Sequence, residues 1–166
     1  MRDLFIFGCA TGMRYSNYSK VAKKDIQNGM IKVRDEKNNY KTLEIPLNDF
    51  SMYVLKKYDY QLPKISNQRF NEYIKEVFKT IGYTDNVKKT MKVGKEIIEQ
   101  INPLYERISS HTARRSFITI MKNKKIPDKV IMSYTGHRSL EVFNKYYKPN
   151  NEDRKDFMQT VWKIDD

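Results

Sequence analysis

The sequence holds a single cysteine, Cys9, and only two histidines among its 166 residues. One thiol cannot form an internal disulfide framework, and it rules out a zinc site built on cysteines. Cys9 sits in the apolar run FIFGCATG, where we expect a buried structural thiol in a reducing compartment. Long apolar runs are missing as well. No stretch approaches the roughly 20 apolar residues that cross a bilayer, and Arg2 and Asp3 precede only a short apolar stretch with no cleavage-site pattern. We therefore expect an intracellular chain with no membrane contact. Acidic residues are scarce, 20 Asp and Glu against 32 Lys and Arg, a net charge of +12. A balance this basic points to a polyanion, and nucleic acid is the usual one because each neutralised phosphate releases counterions.

The excess charge is concentrated. Ten Lys and Arg against two acids, Asp128 and Glu141, fall between Arg107 and Lys148, a stretch that also holds both histidines and a tyrosine pair. His111 and Arg114 are three apart on a predicted helix, so their side chains share a face and can reach one group together. An arginine fork matches two phosphate oxygens, and a histidine can donate to a third or carry a proton. His137 follows Gly136, and Tyr146 stands nine residues beyond that histidine. A tyrosine hydroxyl, with an ordinary pKa near 10, becomes a useful nucleophile only among cations. Tyr147 competes with Tyr146, and on one helix the two would point about 100° apart, so only one can face the arginines. Arg115 is turned away from Arg114 and is expected on the surface or against DNA backbone.

The local patterns predict a mainly α fold with small β-hairpins, an α+β arrangement in one domain. An apolar helix over 2–10 should stop at Thr11 and Gly12, with Arg14 opening the next helical stretch. MIKVR (30–34) and YKTLEIPL (40–47) read as strands joined by the polar turn DEKNN. Asn48 or Asp49 should cap a helix to about Tyr58. Ser66 should cap another that buries Phe70, Ile74, Val77, Phe78 and Ile81. A second strand pair is expected around Gly94. A helix after Ser109 or Ser110 should bury Phe117, Ile118 and Met121; the next has Pro127 in its first turn and ends at Gly136, and a last one, LEVFNKYYK, ends at Pro149. The tail carries Phe157, Val161 and Trp162 at about helical spacing, a stripe that needs a surface to cover it.

Thr11, Gly12, Met13 and Arg14, then His111, Thr112, Ala113 and Arg114, then Gly136, His137 and Tyr146 match in order and spacing the three boxes of a known family. The chain resembles the catalytic domain of tyrosine recombinases, the phage-integrase family, closest in style to integrases of Bacteroides-type mobile elements. The resemblance covers nearly the whole chain. It implies a catalytic domain over 1–149, an absent amino-terminal core-binding domain, and a tail over 150–166 that docks in cis or on a neighbouring protomer. It implies strand cleavage and rejoining through a 3′-phosphotyrosine, needing no metal and no cofactor, on double-stranded DNA in the bacterial cytoplasm, at the nucleoid. The active form would be a tetramer on paired DNA sites and the free form a monomer. By position, Arg14 and Arg114 would clamp the scissile phosphate, His111 would assist the nucleophile, His137 would hydrogen-bond the phosphate, and Tyr146 would attack. The family's hairpin lysine, which protonates the leaving oxygen, would be Lys37, with Lys41 as the alternate. The acid that commonly stands three residues after the first arginine is Asn17 in this chain. DNA relaxation of the type IB topoisomerase kind, or a DNA-binding module that no longer cleaves, are the rival readings.

Overall fold

The computed structural model describes residues 1–35, 38–94, 96–146, 149 and 151–161. Lys37, Tyr147 and Trp162 fall outside the described residues.

Helix α1 (Arg2–Thr11) turns its apolar face inward through Leu4 and Phe7, and its last turn closes when the Gly12 N–H donates to Gly8 O at φ +64°. Gly12 is required here for two reasons. An L side chain in the left-handed region is strained, and a Cβ would stand 2.3 Å from the Phe117 ring of a helix packed alongside. Gly12→Ala should therefore cost about 2–4 kcal/mol and lower the melting temperature by about 5–15 °C in a thermal unfolding scan. The chain then buries Met13 and places Arg14 as the extended residue that precedes the short helix α2 (Tyr15–Tyr18).

Strands β1 (Ile26–Gln27), β2 (Met30–Asp35) and β3 (Asn38–Pro46) form an antiparallel sheet in that order. The hairpin is longer than the sequence predicts, because both strands run into the polar segment assigned to its turn. Ile31 and Asp35 are buried on the inward side of β2, at positions of the same parity. Helix α3 (Asp49–Lys57) starts where Asn48 Oδ1 accepts from the Ser51 N–H, and α4 (Asn67–Thr80) where Ser66 Oγ accepts from the Arg69 N–H. Phe70 and Ile74 of α4 are buried as predicted. Ile81 is not: it lies beyond the helix, at its C-cap, and is 61% exposed. Asp3 of α1 bonds Lys57 Nζ at 2.6 Å and the Tyr58 hydroxyl at 3.0 Å, which ties α1 to α3. The Lys57 ammonium is the main reason its carboxyl is held down at about 2.

Strands β4 (Asn86–Val93) and β5 (Glu96–Pro103) make the second hairpin, a two-stranded ribbon exposed along nearly all of β5. Helix α5 (Ser110–Asn123) is capped by Ser109 and packs along α1 through Ala113 and Phe117. Helix α6 (Asp128–Thr135) has Pro127 just before it and ends at Gly136, φ +70°. Helix α7 spans only Leu140–Asn144, where the sequence predicts a helix to the end of the tyrosine pair. It closes with tighter turns, Lys145 N–H to Val142 O and Tyr146 N–H to Phe143 O, so Tyr146 lies in the turn after the helix. Helix α8 (Asn151–Val161) leaves Met158 and Val161 exposed. Among the described residues the chain is mainly helical with two small antiparallel sheets, as predicted. No helix among the described residues is long and apolar enough to cross a membrane.

Candidate active site

Four segments far apart in sequence converge where α1 ends, α5 passes and α6 stops. Arg114 is on the buried face of α5 and only 2% exposed, among the most deeply buried large side chains of the protein. Its Nη1 donates to Gly12 O at 2.9 Å and its Nη2 to Thr135 O. Both acceptors are carbonyls at helix ends, where such groups lack an intrahelical partner. Nε of Arg114 is buried and has no hydrogen-bond partner among the described residues. Burial and then the charge of Arg14 lower its pKa to about 10, while the Tyr146 hydroxyl and Asp35 pull it back, so it stays cationic at neutral pH.

Gly136 ends α6 in the left-handed conformation and turns the chain so that His137 faces Arg114. The Thr135 hydroxyl donates to Ile131 O at 2.8 Å, so its oxygen accepts from His137 Nδ1 at 2.8 Å. This hydrogen-bond pattern assigns the Nδ1–H tautomer and leaves Nε2 as the acceptor, 3.2 Å from Arg114 Nη2. Burial first, then Arg114, Arg14 and His111, push the His137 pKa down to about 4, so the ring is neutral at pH 7. A histidine with a depressed folded pKa contributes stability that is complete above its ordinary 6.5 and is lost as pH falls toward about 4. Chemical denaturation midpoints should therefore fall across that window, and the fall should be shallower in His137→Gln.

Tyr146 stands over this group. Its hydroxyl is 3.1 Å from His111 Nε2, and its ring lies 5.0 Å from the ring of His137 in an edge contact. His111, exposed in the first turn of α5, and Arg114 both engage the tyrosine, as their spacing of three predicts. Arg115 lies closer to the site than the sequence suggests: its guanidinium sits over the Tyr146 ring at 5.8 Å.

Arg14 reaches the same cleft from the start of α2. An open hollow of about 300 Å³ is lined by Arg14, Asp35, His137, Arg138 and Ser139 among others. Arg14 Nη1 pairs with Asp35 Oδ1 at 2.7 Å. Sequence reasoning missed Asp35 and Thr135. Asp35 was legible: had β2 been extended by one residue, its parity would have set it on the buried face with Ile31. Lys37, the assigned hairpin lysine, lies outside the described residues. No group of three or more His, Cys, Asp or Glu side chains that could hold a metal ion occurs among the described residues.

Residues 2–153 match the family model of the phage integrase family. No curated protein matches the sequence significantly. Among solved structures, the Tn1549 transposon integrase in complex with a circular intermediate DNA superposes with a TM-score of 0.67 at 14% identity, over 95% of this chain and 57% of that one. XerH site-specific recombinase bound to its difH substrate gives 0.62 at 17% identity, over 99% and 47%. A lambda integrase dimer bound to a COC′ core site gives 0.63 at 18% identity, over 87% and 50%. The chain thus spans about half the length of the structures it resembles, and at these identities the likeness is one of fold.

Proposed function

Because the chain belongs to the phage integrase family, we propose that it is the catalytic domain of a site-specific DNA recombinase acting for a mobile element, in the cytoplasm, on double-stranded DNA. The observation that carries this reading is the contact of the Tyr146 hydroxyl with His111 Nε2, at 3.1 Å, beside Arg114. A nucleophile, a base and an anion-binding cation are already within reach of one another.

The scissile phosphate would enter above Arg114, take the unpartnered Nε–H, and be clamped from the other side by Arg14. Its negative charge would raise the pKa of His137 from the depressed value, letting Nε2 take a proton and donate to a non-bridging oxygen. Tyr146 would pass its proton to His111 and bond to phosphorus as the bond from phosphorus to the 5′-oxygen breaks. The hairpin lysine, Lys37 or in its place Lys41, would protonate that oxygen. The product is a 3′-phosphotyrosine and a free 5′-hydroxyl. A second 5′-hydroxyl then reverses the step, so no external energy is consumed. Recombination would require several protomers on paired sites, and we read α8, with Met158 and Val161 exposed, as a segment that docks on its own domain or a neighbour's.

The test is a nicked suicide substrate carrying the cognate site, incubated with the chain in chelator and run on a denaturing gel. The reading requires a covalent protein–DNA adduct. DNA binding without any adduct, from this chain and from a longer one, would establish the non-cleaving module instead.

A further inference from the structure

One buried acid of the cleft has no task in the reaction just described. Asp35 closes the inward face of β2 and is 3% exposed. Its Oδ1 accepts from Arg14 Nη1 at 2.7 Å. Its Oδ2 lies 3.0 Å from the position a Cβ on Gly136 would occupy, so the carboxylate fills the space left by the missing side chain next to His137. The pairing of β2 with β3 shifts between Arg34 and Asp35, an irregularity that re-aims a strand residue at a functional edge. Of the described residues lining the hollow, Asp35 is the one acid, set among Arg14, Arg138 and His137.

The two arginines of the site are held differently. Arg114 is fixed by carbonyls at two helix ends, whereas Arg14 stands in extended backbone just before α2, its side chain is 23% exposed, and its charge repels that of Arg114. A long cationic side chain in that position needs an opposite charge to hold it near a second cation. Asn17, the neighbour three residues on, is neutral.

We infer that Asp35 is the positioning residue for Arg14: from the hairpin it supplies the carboxylate that orients this guanidinium toward the phosphate and ties the hairpin's root to the arginine clamp. With Nη1 held by Asp35, the guanidinium presents its remaining donors to the anion. The same contact ties the end of β2 to Arg14. The consequence for phosphate binding rests on the reading above; the orienting contact does not.

A double-mutant cycle tests it, with adduct formation on the suicide substrate measured for the wild type, Asp35→Asn, Arg14→Ala and the pair, and a thermal melt for each. Asp35→Asn keeps the shape and removes the charge. It should slow adduct formation at least tenfold with little change in melting temperature. In the Arg14→Ala background it should change the rate less than twofold, and Asp35→Glu should recover part of the loss. An equal fall in both backgrounds, no fall, or a fall that tracks unfolding at the assay temperature would overturn the proposal. NMR of ¹⁵N-arginine side chains, with the Arg14 signal assigned through Arg14→Lys, decides the contact without any activity. Hindered guanidinium rotation in the wild type should be released in Asp35→Asn. If it is unchanged, the positioning role is wrong; if it is released and no adduct forms in any variant, the contact stands and the recombinase reading falls.

Discussion

Tyr146→Phe is expected to abolish the covalent adduct, lowering strand cleavage by more than about 10³-fold, as loss of a nucleophile does, while DNA binding and the melting temperature stay near wild type. Phenylalanine keeps the ring that meets His137 at 5.0 Å and lies beneath Arg115, and loses only the hydroxyl that contacts His111. The side chain lies after the last turn of α7, where the described backbone bonds involve its N–H and not its hydroxyl. A denaturing gel of the suicide-substrate reaction reads the outcome. Tyr147→Phe serves as the control and should still form the adduct. If the two variants exchange behaviour, Tyr147 is the nucleophile and Tyr146 its neighbour.

Arg114→Lys should fail in a different way, losing stability and rate together. The guanidinium bridges Gly12 O and Thr135 O from a site almost closed to water. A single ammonium cannot reproduce that fork, and a buried carbonyl left without its donor costs about 1–3 kcal/mol. The buried Nε donor disappears as well, and on the proposed reading one contact to the charge growing on the phosphate oxygens goes with it, worth about 10²–10³ in rate. Melting temperature and adduct rate should therefore both fall, whereas Tyr146→Phe moves only the rate. A lysine variant with wild-type stability would mean that the carbonyls find water and that the pin through α5 is dispensable.

The contrast between these two residues also shows what a sequence can reveal. The boxes at Arg14, His111 with Arg114, and His137 with Tyr146 were legible because each is a short local pattern with fixed spacing. The helix caps at Asn48, Ser66 and Ser109 were legible because the capping side chain is written beside the helix it starts. Ile81 was misplaced because helical periodicity runs on past the point where the C-cap stops the helix. The end of α7 was misplaced for the same reason. Asp35 and Thr135 were missed because their roles depend on partners distant in the chain or on which lone pair a neighbour leaves open. Strand parity marks Asp35 as inward-facing once β2 is extended by one residue, but it does not say that its partner is an arginine 21 positions upstream.

The bond from Arg114 to Gly12 O joins residues 102 positions apart. Closing a loop of that length becomes favourable only once the intervening strands and helices have taken their places. Arg114 is then set by contacts that exist only in the complete tertiary structure. A nascent or partly melted chain has Tyr146 but no anchored Arg114 beside it. On the proposed reading, strand-cleaving competence and tertiary structure should be lost in one transition.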